Sequence, residues 1–209
     1  MISRSTLQGI VESISVLMTE NREYLVQLDQ VNGDGDLGIS MDDGFRALTG
    51  WLQEATEDDL EQLLRGAAKV FNQSAPSSLG TIISFGLMGM AKALRGQVEV
   101  DGTVAAQAML DGVHNIMAKA ESKPGEKTIL DSLVPGAEAL VAATSGGDEP
   151  REASRKAAKA AGEGSEATRD MVAVHGRAAY SASRSVGILD GGSVVGKLIF
   201  DGVAAYFES

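Results

Sequence analysis

Apolar residues recur along this chain at helical spacing. Between Thr6 and Thr19, Leu7, Ile10, Val11, Ile14 and Leu17 fall on one stripe, the recurrence of an amphipathic helix. A second stripe, Leu60, Leu63, Leu64, Ala67 and Ala68, follows Thr56-Glu57-Asp58-Asp59. That run predicts an N-cap with acids in the first helical turn. Ser78 to Leu94 is apolar nearly all round, which predicts a buried helix. Val104 to Ala120, Ile129 to Ala143 and Glu152 to Ala173 continue the pattern, and a last helix is predicted from near Ser193 to Phe207. No stretch sustains the period-two alternation of Val, Ile and Thr that marks strands. The chain reads as all-α, a single domain over residues 1–209 with about eight helical segments.

Composition narrows the chemistry. A chain of 209 residues fits one domain and buries roughly 70% of its unfolded surface without staples. The absence of cysteine excludes disulfides and thiolate metal sites, and the two histidines, His114 and His175, stand far apart. A multi-histidine zinc site is therefore not expected. The N-terminus lacks the apolar core of a signal peptide, and no uncharged apolar run of about 18 residues occurs. The expectation is a cytoplasmic protein without a membrane partner. A net charge of −11 argues against a nucleic-acid partner. It leaves nucleotides open, because phosphates that arrive with magnesium bring their own counter-charge. Glycines within the helical segments, such as Gly86, Gly89 and Gly112, point to close helix approach, and Ser145-Gly146-Gly147-Asp148-Glu149-Pro150 reads as a turn between helices.

The informative residues lie between the helices. Leu28-Asp29-Gln30-Val31-Asn32-Gly33-Asp34-Gly35-Asp36-Leu37-Gly38 puts three carboxylates within eight residues, interleaved with glycines. Crowded carboxylates repel unless a cation sits among them, and hard oxygen donors that leave room for water and phosphate suit Mg²⁺. A solvated acidic turn is the plain alternative. Asn32-x-Asp34-x-Asp36 also resembles the start of an EF-hand loop, but Leu37 stands at the position that requires glycine, and Asp43 at the twelfth. Asn72 to Thr81 carries Pro76 and serines ahead of the apolar helix, a helix start of the kind that can bind phosphate. Lys123-Pro124-Gly125-Glu126-Lys127-Thr128-Ile129-Leu130-Asp131 is an interhelical turn with a capped start at Thr128-x-x-Asp131. The last loop runs from His175-Gly176-Arg177-Ala178-Ala179-Tyr180 through Arg184-Ser185-Val186-Gly187 to Asp190-Gly191-Gly192. Arg177 there has two readings, a phosphate partner or the partner of a surface acid.

In order and spacing these loops resemble the nucleotide-binding L subunit of dihydroxyacetone kinase, the DhaL or DAK2-type domain. The shared stretches are Leu28-Asp29…Gly33-Asp34-Gly35-Asp36-Leu37-Gly38, Pro124-Gly125-Glu126-Lys127-Thr128, and Gly176-Arg177-Ala178-Ala179-Tyr180…Arg184-Ser185-Val186-Gly187…Asp190-Gly191-Gly192. The resemblance covers nearly the whole chain. It implies a barrel of eight antiparallel helices with ADP or ATP at one end. It implies two magnesium ions on Asp29, Asp34 and Asp36. It implies nucleotide contacts at Gly38, Ser40, Ala75, Ser77, Ser78, Ile129, Arg177, Asp190, Gly191 and Gly192. It further implies a glycerone-kinase type phosphotransferase that acts only with a separate ketose-binding subunit, with ATP or a phosphocarrier protein as donor. No catalytic residue of its own beyond the metal site is implied. Four departures stand out: Leu37 replaces a usual histidine, Ser40 a frequent asparagine, Ala75-Pro76-Ser77-Ser78 a glycine-rich turn, and Asp190-Gly191-Gly192 lacks a usual proline. They fit a second reading, a non-catalytic ADP-binding regulatory protein on the same fold.

Overall fold

The first helix, α1 (Arg4–Glu20), is followed by the short α2 (Arg22–Gln30) and by α3 (Leu37–Glu54), α4 (Leu60–Ser74) and α5 (Ser78–Ala93). Then come α6 (Gly102–Ala120), α7 (Leu130–Ser145), α8 (Pro150–Ala167) and α9 (Gly191–Glu208). A two-residue strand β1 (Ile2–Ser3) pairs antiparallel with β2 (Glu99–Val100). The computed structural model describes the backbone throughout and the side chains of residues 1–180 and 185–209.

Packing order gives the architecture. Helix α1 lies on α3, α3 on α4, and each later helix on its successor, until α9 returns to α1 and closes the ring. Eight antiparallel helices thus form a barrel, while α2 sits outside it against α3. The core runs through the ring from Ile14 and Met18 of α1 to Phe71, Leu130 and Phe200. Phe45 and Phe71 meet edge to face at 4.9 Å and 73° where α3 crosses α4. Closure demands close approach, and a Cβ on Gly89 would lie 2.8 Å from the Gly112 Cα where α5 crosses α6. Inside the ring lies an apolar cavity of about 410 Å³ lined by residues such as Leu7, Ile14, Phe45, Ile83 and Val203.

Three boundaries differ from the sequence pattern. Helix α4 is capped by Asp59, which accepts the Gln62 N–H at 2.9 Å, so Thr56 lies outside the helix. Pro76 precedes the cap residue Ser77 rather than occupying the first helical position. The predicted helix to Ala173 ends at Ala167, and a 3-10 turn, Thr168–Asp170, follows. Thr168 causes the break: its hydroxyl turns back onto the Ser165 carbonyl at 2.7 Å, and its own carbonyl accepts a bond from the Lys127 side chain at 2.7 Å. A second 3-10 stretch, Arg177–Arg184, precedes α9. Among the described residues no helix is long and apolar enough to cross a membrane.

Candidate functional site

The loops at one end of the barrel bring the acidic triplet together. Asp29 ends α2, Asp34 lies in the connection, and Asp36 is the N-cap of α3. One carboxylate oxygen from each lies within 4.8 Å of the other two. Local geometry explains the convergence. Asp29 accepts the Gly35 N–H at 2.8 Å, and Gly35 has φ +79°, a turn that glycine makes without strain. Burial pushes the Asp36 carboxyl up, with the charge and hydrogen bond of Asp34 and the charge of Asp29 adding to it; Arg177 opposes the shift. Arg177 reaches over from the last loop and bonds Asp34 at 2.6 Å. The two readings of Arg177 therefore merge, because the acid it pairs with belongs to the cluster. Asp43, the twelfth residue of the EF-hand alternative, is exposed on α3 and outside the cluster.

Two helix starts border this cluster. Gly38 is buried in the first turn of α3, where a Cβ would strike the Arg22 carbonyl oxygen, so α2 and α3 cross in contact. Ser40, two residues on, shares a hydrogen bond with Ser77 at 2.8 Å. Ser77 caps α5 by accepting the Gly80 N–H at 3.1 Å. Its own N–H bonds the carbonyl of the fully buried Ala75 at 2.7 Å. Ser78 is the exposed first residue of α5. The first N–H groups of a helix have no intrahelical acceptor, so this start presents donors and positive dipole. The Ser40–Ser77 bond joins it to the start of α3.

The third wall is the start of α9. Asp190 caps it, accepting the Ser193 N–H at 2.6 Å. Burial drives the Asp190 carboxyl up to about 7, aided by Asp131 and Asp29, against the pull of the Ser193 bond and Lys127. A Cβ on Gly192 would lie 3.3 Å from the Ile129 nitrogen, and one on Gly191 would lie 2.5 Å from Leu37. The turn therefore packs on the buried Ile129 at one side and on Leu37 at the other. Leu37, where the resembled family usually carries histidine, makes an apolar floor between the acidic loop and this turn. The metal and nucleotide candidates of the sequence are thus joined by contacts at one end of the barrel. The Arg184 side chain lies outside the described residues.

Sequence reasoning assigned no role to Lys127, which is only 4% exposed. Its ammonium donates to four backbone carbonyls, those of Thr168 at 2.7 Å, Ser185 at 2.6 Å, Ile188 at 2.7 Å and Met171 at 3.3 Å. Burial lowers its pKa, and Asp190 opposes the shift. Beside it, Glu126 accepts from Ser122 at 2.9 Å and from the Lys123 N–H at 3.0 Å, and bonds the His175 ring at 2.7 Å. These bonds, His175 first, pull the Glu126 carboxyl down to about 2. Asp131 caps the same turn by accepting the Gly125 and Thr128 N–H groups at 2.5 and 2.7 Å, as the Thr128-x-x-Asp131 spacing predicts. The only signal for Lys127 was a lysine between a Pro-Gly turn and a cap, which does not say whether the side chain faces in or out.

The apolar cavity in the ring has none of the acidic triplet in its lining. The chain is 30% identical over 201 residues to the triokinase/FMN cyclase of Rattus norvegicus, covering 96% of this chain and 34% of that protein. It is 27% identical over 186 residues to the ADP-binding subunit DhaL of a PEP-dependent dihydroxyacetone kinase of Listeria innocua, covering 88% of this chain and 86% of that subunit. It thus spans about a third of the first relative but most of the second. The dihydroxyacetone kinase of C. freundii, solved with AMP-PNP and Mg2+, superposes on 96% of this chain and 34% of its own with a TM-score of 0.75 at 21% identity, a likeness of fold. The DAK2 domain model matches residues 31–205, from just after Asp29 to the last turn of α9, and the chain belongs to the DAK2 domain family.

Proposed function

We propose that this chain is the ADP- or ATP-carrying component of a two-component ketose kinase, of the dihydroxyacetone or a related tetrulose type. In this reading it presents the terminal phosphoryl group to a hydroxyl of a ketose held on a separate subunit. The observation that carries it is the convergence of Asp29, Asp34 and Asp36 with Arg177 and two helix starts on one face. The donor set fits magnesium. Oxygens on opposite sides of an octahedral Mg²⁺ at about 2.1 Å stand about 4.2 Å apart, and the triplet's oxygens lie within 4.8 Å of one another. Magnesium held there, one ion or two, would neutralise charge on the phosphate oxygens.

The chain's own groups supply the rest. The N–H groups at the starts of α3 and α5, joined through Ser40 and Ser77, face phosphate, with Gly38, Ala75 and Ser78 providing backbone rather than side-chain contacts. Arg177 adds a guanidinium suited to phosphate oxygens. Gly191 and Gly192, with Gly192 backed by the buried Ile129, lie beside Asp190 on the side that would take the nucleoside. Positioning and charge neutralisation carry most of phosphoryl transfer, so the chain needs no nucleophile of its own. The similarity to an ADP-binding subunit of a dihydroxyacetone kinase supports the carrier role. Titration with ADP in a calorimeter, with and without Mg²⁺, tests the carrier role; equal affinity in both refutes the metal assignment. Mixing the chain with a ketose-binding subunit and ATP, or ADP with a phosphocarrier protein, tests transfer and identifies the donor. Tight Mg-ADP binding without transfer to any ketose moves the reading to a regulatory ADP-binding protein.

A further inference from the structure

We infer that Lys127 is a positioning residue, whose ammonium closes the base of the 168–188 loop and so holds the Arg177 guanidinium at the acidic cluster. The inference rests on the nucleotide-carrier reading of that cluster and adds a residue that acts behind it. A lysine next to a Pro-Gly turn near phosphate-facing helix starts invites assignment as a phosphate ligand. The geometry rules that out: the side chain is 4% exposed and points into the protein. An ammonium has three protons, and three carbonyls at 2.6–2.7 Å use them all, with a fourth at 3.3 Å.

The identity of the acceptors gives the function. Thr168 and Met171 lie where the chain leaves α8, and Ser185 and Ile188 lie where it returns to α9. One cation therefore ties both ends of the segment that carries His175, Arg177 and Tyr180. No carboxylate directly bonds this ammonium, so the bonds order backbone rather than neutralise an acid. Removing the buried cation would take a donor at 2.6–2.7 Å from the Thr168, Ser185 and Ile188 carbonyls, of which Thr168 and Ser185 also accept the longer bonds of the Met171 N–H at 3.2 Å and the Ile188 N–H at 3.4 Å, and weakened pairing of buried acceptors is costly. The backbone at Lys127 has φ +61°, a conformation that a non-glycine residue holds only when its surroundings fix it. The neighbouring bonds do so: Asp131 holds the Thr128 N–H on one side, and on the other Glu126 accepts from Ser122 and grips His175 of the same loop. Residue 129, two positions on, meets Gly192 at the start of α9. The Lys127 turn thus lies between the two halves of the site, the Ile129–Gly192 surface and the Arg177 arm.

The test uses Lys127→Met, which keeps the aliphatic stem and removes the charge. If the loop then holds its productive arrangement about a tenth of the time, apparent Mg-ADP affinity falls about tenfold, because affinity scales with the competent fraction. Trypsin cleavage after Arg177 should accelerate by a similar factor, and Mg-ADP should protect the wild-type loop. A general loss of stability would not reproduce the next readout. Arg177→Ala weakens Mg-ADP binding by itself, and Lys127→Met combined with it should add little further loss, because Lys127 acts through Arg177. Full additivity of the two losses overturns the inference. Rescue is also available: the chain has no cysteine, so Lys127→Cys can be alkylated with bromoethylamine while unfolded and then refolded. The resulting thioether amine should restore affinity and protease resistance. A folded Lys127→Met protein with wild-type affinity and unchanged cleavage overturns the inference. If the wild-type chain binds no Mg-ADP, the carrier reading fails, and cleavage after Arg177 alone then decides: acceleration in Lys127→Met supports the tie, and an unchanged rate sinks it.

Discussion

Replacing Asp36 by Asn should make the protein more stable in the presence of EDTA and less responsive to Mg-ADP. Asp36 has carboxylate oxygens of Asp29 and Asp34 within 4.8 Å. Two unit charges at that distance repel by about 0.9 kcal/mol in water-like surroundings, so two such neighbours cost roughly 2 kcal/mol. Three effects reduce the figure. Arg177 bonds Asp34 at 2.6 Å and compensates part of the charge. Salt, with a Debye length of about 8 Å at physiological strength, screens part of the repulsion between these exposed groups. The start of α3 favours a negative residue by about 0.3–1 kcal/mol. The Asp36 side chain makes no capping hydrogen bond, so asparagine forfeits none. The net gain is then about 0.5–1 kcal/mol, or roughly 1–4 °C in Tm for a chain of this size. Mg-ADP at a hundredfold excess over Kd should stabilise the wild type by ~2.7 kcal/mol, and Asp36→Asn should lose most of that rise. Thermal melts in EDTA and in Mg-ADP measure both quantities. A variant that melts below the wild type in EDTA would show that Asp36 holds the fold rather than a metal, and the repulsion argument would be wrong.

Two further outcomes follow from the walls of the site. Gly80→Ala places a Cβ against the Ala75 carbonyl oxygen, a backbone atom that cannot swing aside, and should cost ~1–3 kcal/mol by overpacking; denaturant titration reads the loss, and a neutral effect would mean that the Ala75–Ser78 turn yields freely. Asp190 has its folded pKa raised by burial from 3.8 to about 7, so its stabilising contribution is full below pH 3.8 and is lost as pH rises through about 7. In EDTA the Tm of the wild type, measured against that of Asp190→Asn, should fall across that window, and parallel curves would contradict the burial argument.

The sequence exposed most of this fold because seven helices bury a face wide enough to print a stripe. It singled out no helix over 22–30 or 37–54. Helix α2 is short and largely polar, with one fully buried residue, Leu25. Helix α3 buries Gly38, Ser40, Met41, Asp42 and Gly44 alongside Phe45, Leu48 and Leu52, so half of its inward face is small or polar and reads as loop. Asp42 is inside because Thr19 donates to it at 2.6 Å, with Arg22 at 3.7 Å, contacts that the local sequence does not carry. The acidic triplet was legible because its members are close in sequence. The placement of Arg177 on Asp34 was not, since it depends on a tie between distant segments. Lys127 was invisible for the same reason: inward and outward lysines have the same neighbours in sequence, and only the carbonyls of 168–188 separate them.

The construction of the site follows from a conflict that the loops alone cannot resolve. A cluster of three carboxylates is self-repelling, and the glycines that let it fold also leave its backbone loose. The ring of eight helices removes the freedom: Gly38 lies against α2, Gly80 against Ala75, and Gly192 against Ile129, each contact fixing a loop to a helix start. The remaining partner is Arg177, exposed and carried by a long segment. That segment is ordered at its base by Lys127 and at its middle by the Glu126–His175 bond. Charge at the cluster and order in the loop are then two ends of one network. Linkage between them is reciprocal: whatever cation and phosphate bind at Asp29, Asp34 and Asp36 must tighten the 168–188 loop by the same free energy by which a well-ordered loop strengthens their binding. Loop protection and Mg-ADP affinity should therefore move together across variants of Lys127, Glu126 and Arg177. A variant that changes one while leaving the other fixed would separate the loop from the site.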